Sequence, residues 1–124
     1  MGKRLHVVKR QAQYGDTEAF NWSFEEFHKL MELFSEEVSG DEYDDDWEMP
    51  VEDYKKAMDF IKKLEKTKDP VKERKLVEDA DIDYDDLMSY INTLQSKEGE
   101  LLSNMQAFYR ERDKHSSWIA FSAW

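Results

Sequence analysis

Between Ser39 and Pro50 the chain sets six carboxylates, Asp41, Glu42, Asp44, Asp45, Asp46 and Glu48, around two aromatics, Tyr43 and Trp47. Carboxylates at this density could chelate a hard cation, share a proton in acid–base chemistry, or offer a negative surface to a basic partner. The first option can be tested against a template. A twelve-residue calcium loop starting at Asp41 would have acids at its first, fifth and twelfth positions, Asp41, Asp45 and Glu52. Its third position is Tyr43, however, and Asp46 stands at the sixth, where the tight turn needs glycine. A second start, Asp79-Ala80-Asp81-Ile82-Asp83, has Tyr84 at the glycine position and Tyr90 in place of the terminal Glu. Neither loop meets the template.

The catalytic options are no better supported by spacing. His6, His28 and His115 share no ligand spacing, and each has a structural account as a strand residue, an outer helix face and a polar turn. Ser116 or Ser117 could pair with a distant His, but no nucleophile elbow or phosphate-binding loop is present, and four glycines leave little backbone for an oxyanion or phosphate cradle. Carboxylate pairs are so abundant in an acidic chain that chance supplies them. The reading is therefore a protein that acts by binding rather than chemistry, with no catalytic residue, metal ligand or cofactor assigned.

Charge says which partner fits. The net charge is −11, and residues 23–48 alone, with eleven acids and one lysine, carry −10 of it. Direct binding to nucleic acid or an anionic membrane needs a basic field that no segment supplies, so the complement is a basic protein, including one that itself handles nucleic acid. Asp41, Glu42, Asp44, Asp45, Asp46, Trp47 and Glu48 are the expected contact region, the acids steering and Trp47 giving contact area. Small acidic nuclease inhibitors, immunity proteins and DNA-mimicking phage proteins use this logic; the likeness is one of composition and size only. Two alternatives belong to other classes: a homo-oligomeric structural or accessory protein, and a divalent-metal binder. A plainer account of the acids is that they blunt an edge strand against aggregation.

The elements that position these residues follow from periodicity. Arg4 to Arg10 is β-branched at its centre and reads as a strand; Gln11 to Asn21 reads as a connection returning Tyr14, Phe20 and Trp22 to the core. Ser23-Phe24-Glu25-Glu26 matches a capping box and opens a helix striped by Phe24, Phe27, Leu30, Met31 and Phe34, with Ser39-Gly40 as its stop. Around Trp47 the residues alternate as in a strand, and Pro50 is placed to start a helix running to Lys66. Val71–Val77 fits a short helix or a charged loop. Asp83 can cap a helix whose stripe continues to Phe108, either unbroken or hinged at Gly99. Trp118 to Trp124 is apolar on both faces, as expected of a strand that is central or covered on both sides; an open face there would suit a second copy of the chain.

Together these predict an α+β fold, with residues 1–124 as one domain: a small sheet of about three strands (N-terminal, central acidic and C-terminal) packed against three or four helices. The chain has no cysteine, and its first apolar run is broken by His6 and ended by Lys9, too short for a signal peptide or a membrane span. A cytoplasmic location is the expectation.

Overall fold

Leu5 and Val7 project into the core while His6 between them faces the other way, and this alternation fixes how the sheet meets the helices. The computed structural model describes residues 4–10, 13–20, 23–40, 44–98 and 100–124. The elements run β1 (Leu5–Arg10), β2 (Gln13–Tyr14), α1 (Phe24–Glu32), β3 (Asp46–Pro50), α2 (Val51–Lys66), α3 (Pro70–Asp79), α4 (Tyr84–Glu98), α5 (Leu101–Glu111) and β4 (Trp118–Ala123). The fold is α+β. The sheet has four antiparallel strands in the order β2-β1-β4-β3, one more than predicted, because the connection after β1 turns back and pairs Tyr14 with Val8.

One face of this sheet makes the core. Leu5, Val7, Trp47, Met49, Ile119 and Phe121 are buried together with Phe27, Leu30, Tyr54, Leu87 and Phe108 from the helices. Phe121 is the hub, its ring centre 4.6 Å from Trp47, 5.4 Å from Phe108 and 5.7 Å from Phe27. Phe20 stacks on Phe27 at 4.6 Å with a left-handed backbone, φ +60, a conformation costly for a bulky side chain and held here by its complete burial. Gly15 lets α5 approach the loop after β2. A Cβ there would come within 2.9 Å of Val7 Cγ1 and would crowd Glu111, whose carboxylate accepts from the Thr17 amide at 2.8 Å and from the Thr17 hydroxyl.

Several helix boundaries differ from the sequence reading for identifiable reasons. Ser23 is the N-cap of α1 as expected, but its buried hydroxyl makes no capping bond. The helix ends at Glu32, well before Gly40, as the amides of Phe34 and Ser35 both turn to the Met31 carbonyl. Ser35 then donates to Asp53 at 2.6 Å and accepts from the Glu37 amide at 3.2 Å, which ties this turn to α2. The charged stretch after Pro70 is a helix, capped by Asp69 Oδ1 accepting from the Val71 amide at 2.9 Å. Asp83 caps α4 by accepting from the Asp86 amide at 2.9 Å. The long stripe is two helices: α4 ends at Glu98 and α5 starts after Glu100, an extended N-cap with ψ 111. Gly99, the anticipated hinge, lies outside the described residues.

Candidate interaction surface

The second face of the sheet carries the alternate residues of the same strands. On β4 these are Trp118, Ala120, Ser122 and, just past its end, Trp124; on β3 they are Asp46, Glu48 and Pro50; on β1, His6 and Val8. The register joins them into rows. Val8 pairs with Tyr14 on one side, the next step of the Val7–Phe121 pairing sets it beside Ala120, and Ala120 pairs with Glu48. A row of four strands thus reads Tyr14, Val8, Ala120, Glu48. The neighbouring row reads His6, Ser122, Asp46.

This face is open. Tyr14 is 42% exposed, Trp118 36% and Trp124 52%; the remaining large exposed apolar side chain among the described residues, Val71, stands apart on α3. The Trp124 indole lies flat on His6, with ring centres 3.5 Å apart and planes 8° from parallel, and meets the Tyr14 ring edge-on at 4.5 Å. His6 is buried beneath it, its Nε2 3.6 Å from Glu18 Oε1. Glu18 in turn accepts from Arg4 at 3.0 Å, and the Arg4 bond, seconded by His6, holds the Glu18 carboxyl below its ordinary value. The expectation that β4 is central holds, since it lies between β1 and β3; one of its faces is core and the other, the face considered as open, is lined by Trp118, Ala120, Ser122 and Trp124.

A depression of about 350 Å³ crosses this face, lined by Val8, Tyr14, Ser39, Asp46, Glu48, Ala120 and Ser122 among others. Its floor is small side chains, one wall is aromatic and the other is acidic. The Ser122 hydroxyl donates to the Asp46 carboxylate and fixes it at the rim. At the strand's outer edge, Ser39 donates its amide to the Glu48 carbonyl at 2.9 Å and accepts the Glu48 amide on its hydroxyl at 2.8 Å. Pro50 has no amide hydrogen to offer there. The β3 edge is thereby closed to strand addition at these positions, and a partner must meet side chains on the face instead.

The predicted contact residues separate accordingly. Asp46 and Glu48 reach the trough; Asp44 and Asp45 are exposed on the approach to β3. Asp41 and Glu42, with Tyr43, lie outside the described residues. Trp47 is a correction: at 4% exposure it packs on Phe121, Phe27 and edge-on to His28, because the strand period that turns Asp46 and Glu48 outward turns Trp47 in. His28 is likewise internal rather than on an outer helix face, with Nδ1 3.1 Å from Glu32 and Nε2 3.3 Å from the Ser39 carbonyl oxygen. Tyr14, expected to return to the core, is a further correction, because its pairing with Val8 puts it on the outer face; Trp118 and Trp124 face outward at the even positions of β4, which also hold the strand's one hydroxyl, Ser122.

Compared with protein families, curated proteins and solved structures, this chain matches none of them. The face must therefore be read from its own chemistry. Among the described residues no cluster of three or more His, Asp or Glu side chains is arranged to hold a metal ion, and no helix is long and apolar enough to cross a membrane. Elsewhere, a depression of about 410 Å³ brings Lys9 of β1 to Arg110, Arg112 and Lys114, a grouping that segment-by-segment charge counting misses. Glu111 and Asp113 share it, and Arg112 is committed to Tyr109, stacked 3.8 Å over its ring. Four cations against two carboxylates make a small field, far from a polyanion groove.

Proposed function

We propose that this chain is a non-enzymatic binding protein whose open sheet face seats a basic surface of a partner protein. The observation that carries this reading is the gathering of Tyr14, Trp118 and Trp124 with Asp46 and Glu48 on one exposed sheet face. Large aromatics give contact area at low entropic cost, and carboxylates around them steer and select a cationic partner. Exposed aromatics left on one sheet face of a chain of 124 residues are expensive in solubility unless they are used. The net charge of −11 favours a basic partner over a second copy, since two such molecules repel. A role as an inhibitor of a nucleic-acid-handling protein is one form this binding takes.

The test is capture by tagged wild type from a source lysate, followed by affinity measurement on the purified partner in rising salt. Two variants accompany it: Trp118→Ser with Glu48→Lys on the face, and Asp44→Lys with Asp45→Lys before the strand. The face variant should weaken binding at least tenfold, and wild-type affinity should fall with salt. A partner retained by the face variant and released by the Asp44/Asp45 variant would move the interface off the sheet.

A further inference from the structure

The trough has a more specific shape than a basic partner in general requires. Its floor is made by Val8, Ala120 and Ser122; Tyr14 stands on the β2 side with the Trp124 ring against it, and Asp46 and Glu48 stand along β3. Three strand spacings, about 14 Å, separate the backbones of Tyr14 and Glu48. A side chain lying across it needs an apolar stem for the floor and a cationic head for the carboxylates. A planar head adds a second gain, because its edge meets carboxylate oxygens in pairs while the stem runs back over the floor toward the aromatic wall. Guanidinium has that geometry; ammonium, a compact and strongly hydrated point charge, does not.

From this we infer that the trough between Tyr14 and Glu48 is a receptor for one arginine side chain, presented by an exposed segment of the basic partner. The inference rests on the proposed function and names the group recognised. Three features argue for this occupant over others. The Ser122 hydroxyl holds the Asp46 carboxylate at the rim, so one acceptor is oriented before binding. Both walls and the floor come from strands whose register fixes them, so the site exists without the ligand. The carboxylate wall repels phosphates and other anions, and Ser39 closes the β3 edge at Glu48 against an added strand, leaving a side chain as the probe that fits.

A peptide with one arginine in a Gly/Ser frame, titrated into isotope-labelled full-length protein and followed by NMR, tests this directly. The amides of Val8, Ala120, Ser122 and Glu48 and the Trp124 indole should shift together. The lysine peptide should bind three- to tenfold more weakly, and the citrulline peptide, planar but uncharged, should give no shift at the same concentration. Ala120→Trp fills the trough at unchanged charge and should cut binding at least tenfold. Glu36→Gln with Glu37→Gln removes two exposed charges elsewhere and should leave binding within twofold. Should Ala120→Trp fail to fold, Glu48→Gln at an exposed position takes its place with the same expected loss. Shifts spread over residues 36–37 and 44–45, equal for arginine and lysine and equally reduced by both variants, would overturn the inference. Loss of arginine binding with the captured partner still dependent on Trp118 and Glu48 would overturn it while leaving the proposed function standing.

Discussion

Tyr54 shows how much one side chain can tie together. It is the largest of the fully buried side chains, and its hydroxyl donates to the Met105 carbonyl at 2.7 Å, joining α2 to α5 beneath Phe121. Burial pushes its pKa well above the ordinary tyrosine value, because the phenolate would lose its hydration inside the core. A folded-state pKa raised above the unfolded value gives a stabilisation fully present below about pH 10 and lost as pH climbs through the folded pKa. Tyr54→Phe keeps the packing and removes both the bond and the titration. It should cost about 1 kcal/mol in urea denaturation at pH 7, and the alkaline loss of stability expected of the wild type should flatten in the variant. An unchanged alkaline limb would mean that another group controls it. Trp47 makes the complementary point at this scale. Its neighbours in sequence are all acids, which reads as a hot spot, but the side chain's direction is set by strand period and not by the company it keeps in the chain.

At the scale of elements, β3 is where the sequence was most and least informative. The alternation Asp46, Trp47, Glu48, Met49 and the helix from Val51 to Lys66 were legible because each has a period and a boundary residue, Pro50. The short strand β2 was not, since two residues have no period; its existence depends on the pairing of Tyr14 with Val8, a tertiary fact. The same absence hid the trough, which is assembled from four strands and needs their order before any row can be read. The early end of α1 was hidden because Ser35 finds its partner, Asp53, in another element. The edge of β3 offers a local test. Ser39→Ala removes the acceptor of the Glu48 amide, so hydrogen exchange at that amide should accelerate about fivefold, as expected for loss of a bond worth about 1 kcal/mol. The Met49 amide should keep its protection, because the alternation set by the Asp45–Ala123 and Val51–Ser117 bonds turns it toward β4. Equal acceleration at both would show that the strand detaches as a unit and that Ser39 holds the whole edge.

At the scale of the molecule, charge and apolar surface pull in opposite directions, and their balance sets the state of the free protein. The open face with Tyr14, Trp118 and Trp124 favours association with anything apolar, including itself. The net charge of −11, with Asp46 and Glu48 on that face and Asp44 and Asp45 beside it, opposes the approach of a second copy. The exposed ion pairs, Arg4 with Glu18 and Arg74 with Glu78, offset little of this. Repulsion between exposed charges is screened over about 10 Å at 0.1 M salt and about 3 Å at 1 M, whereas apolar attraction is not. The protein should therefore be monomeric at 20 mM salt across a hundredfold dilution in light scattering, and begin to self-associate as salt approaches 1 M. Trp118→Ser should weaken that association, since it removes an exposed ring from the open face without touching the core. A dimer that is stable at low salt would mean that the face already has its occupant in a second copy, and the case for a basic partner would lose its footing. A monomer at every salt concentration would mean that the three aromatics are too dispersed for self-packing, and only a partner with cationic groups to match Asp46 and Glu48 could seat there.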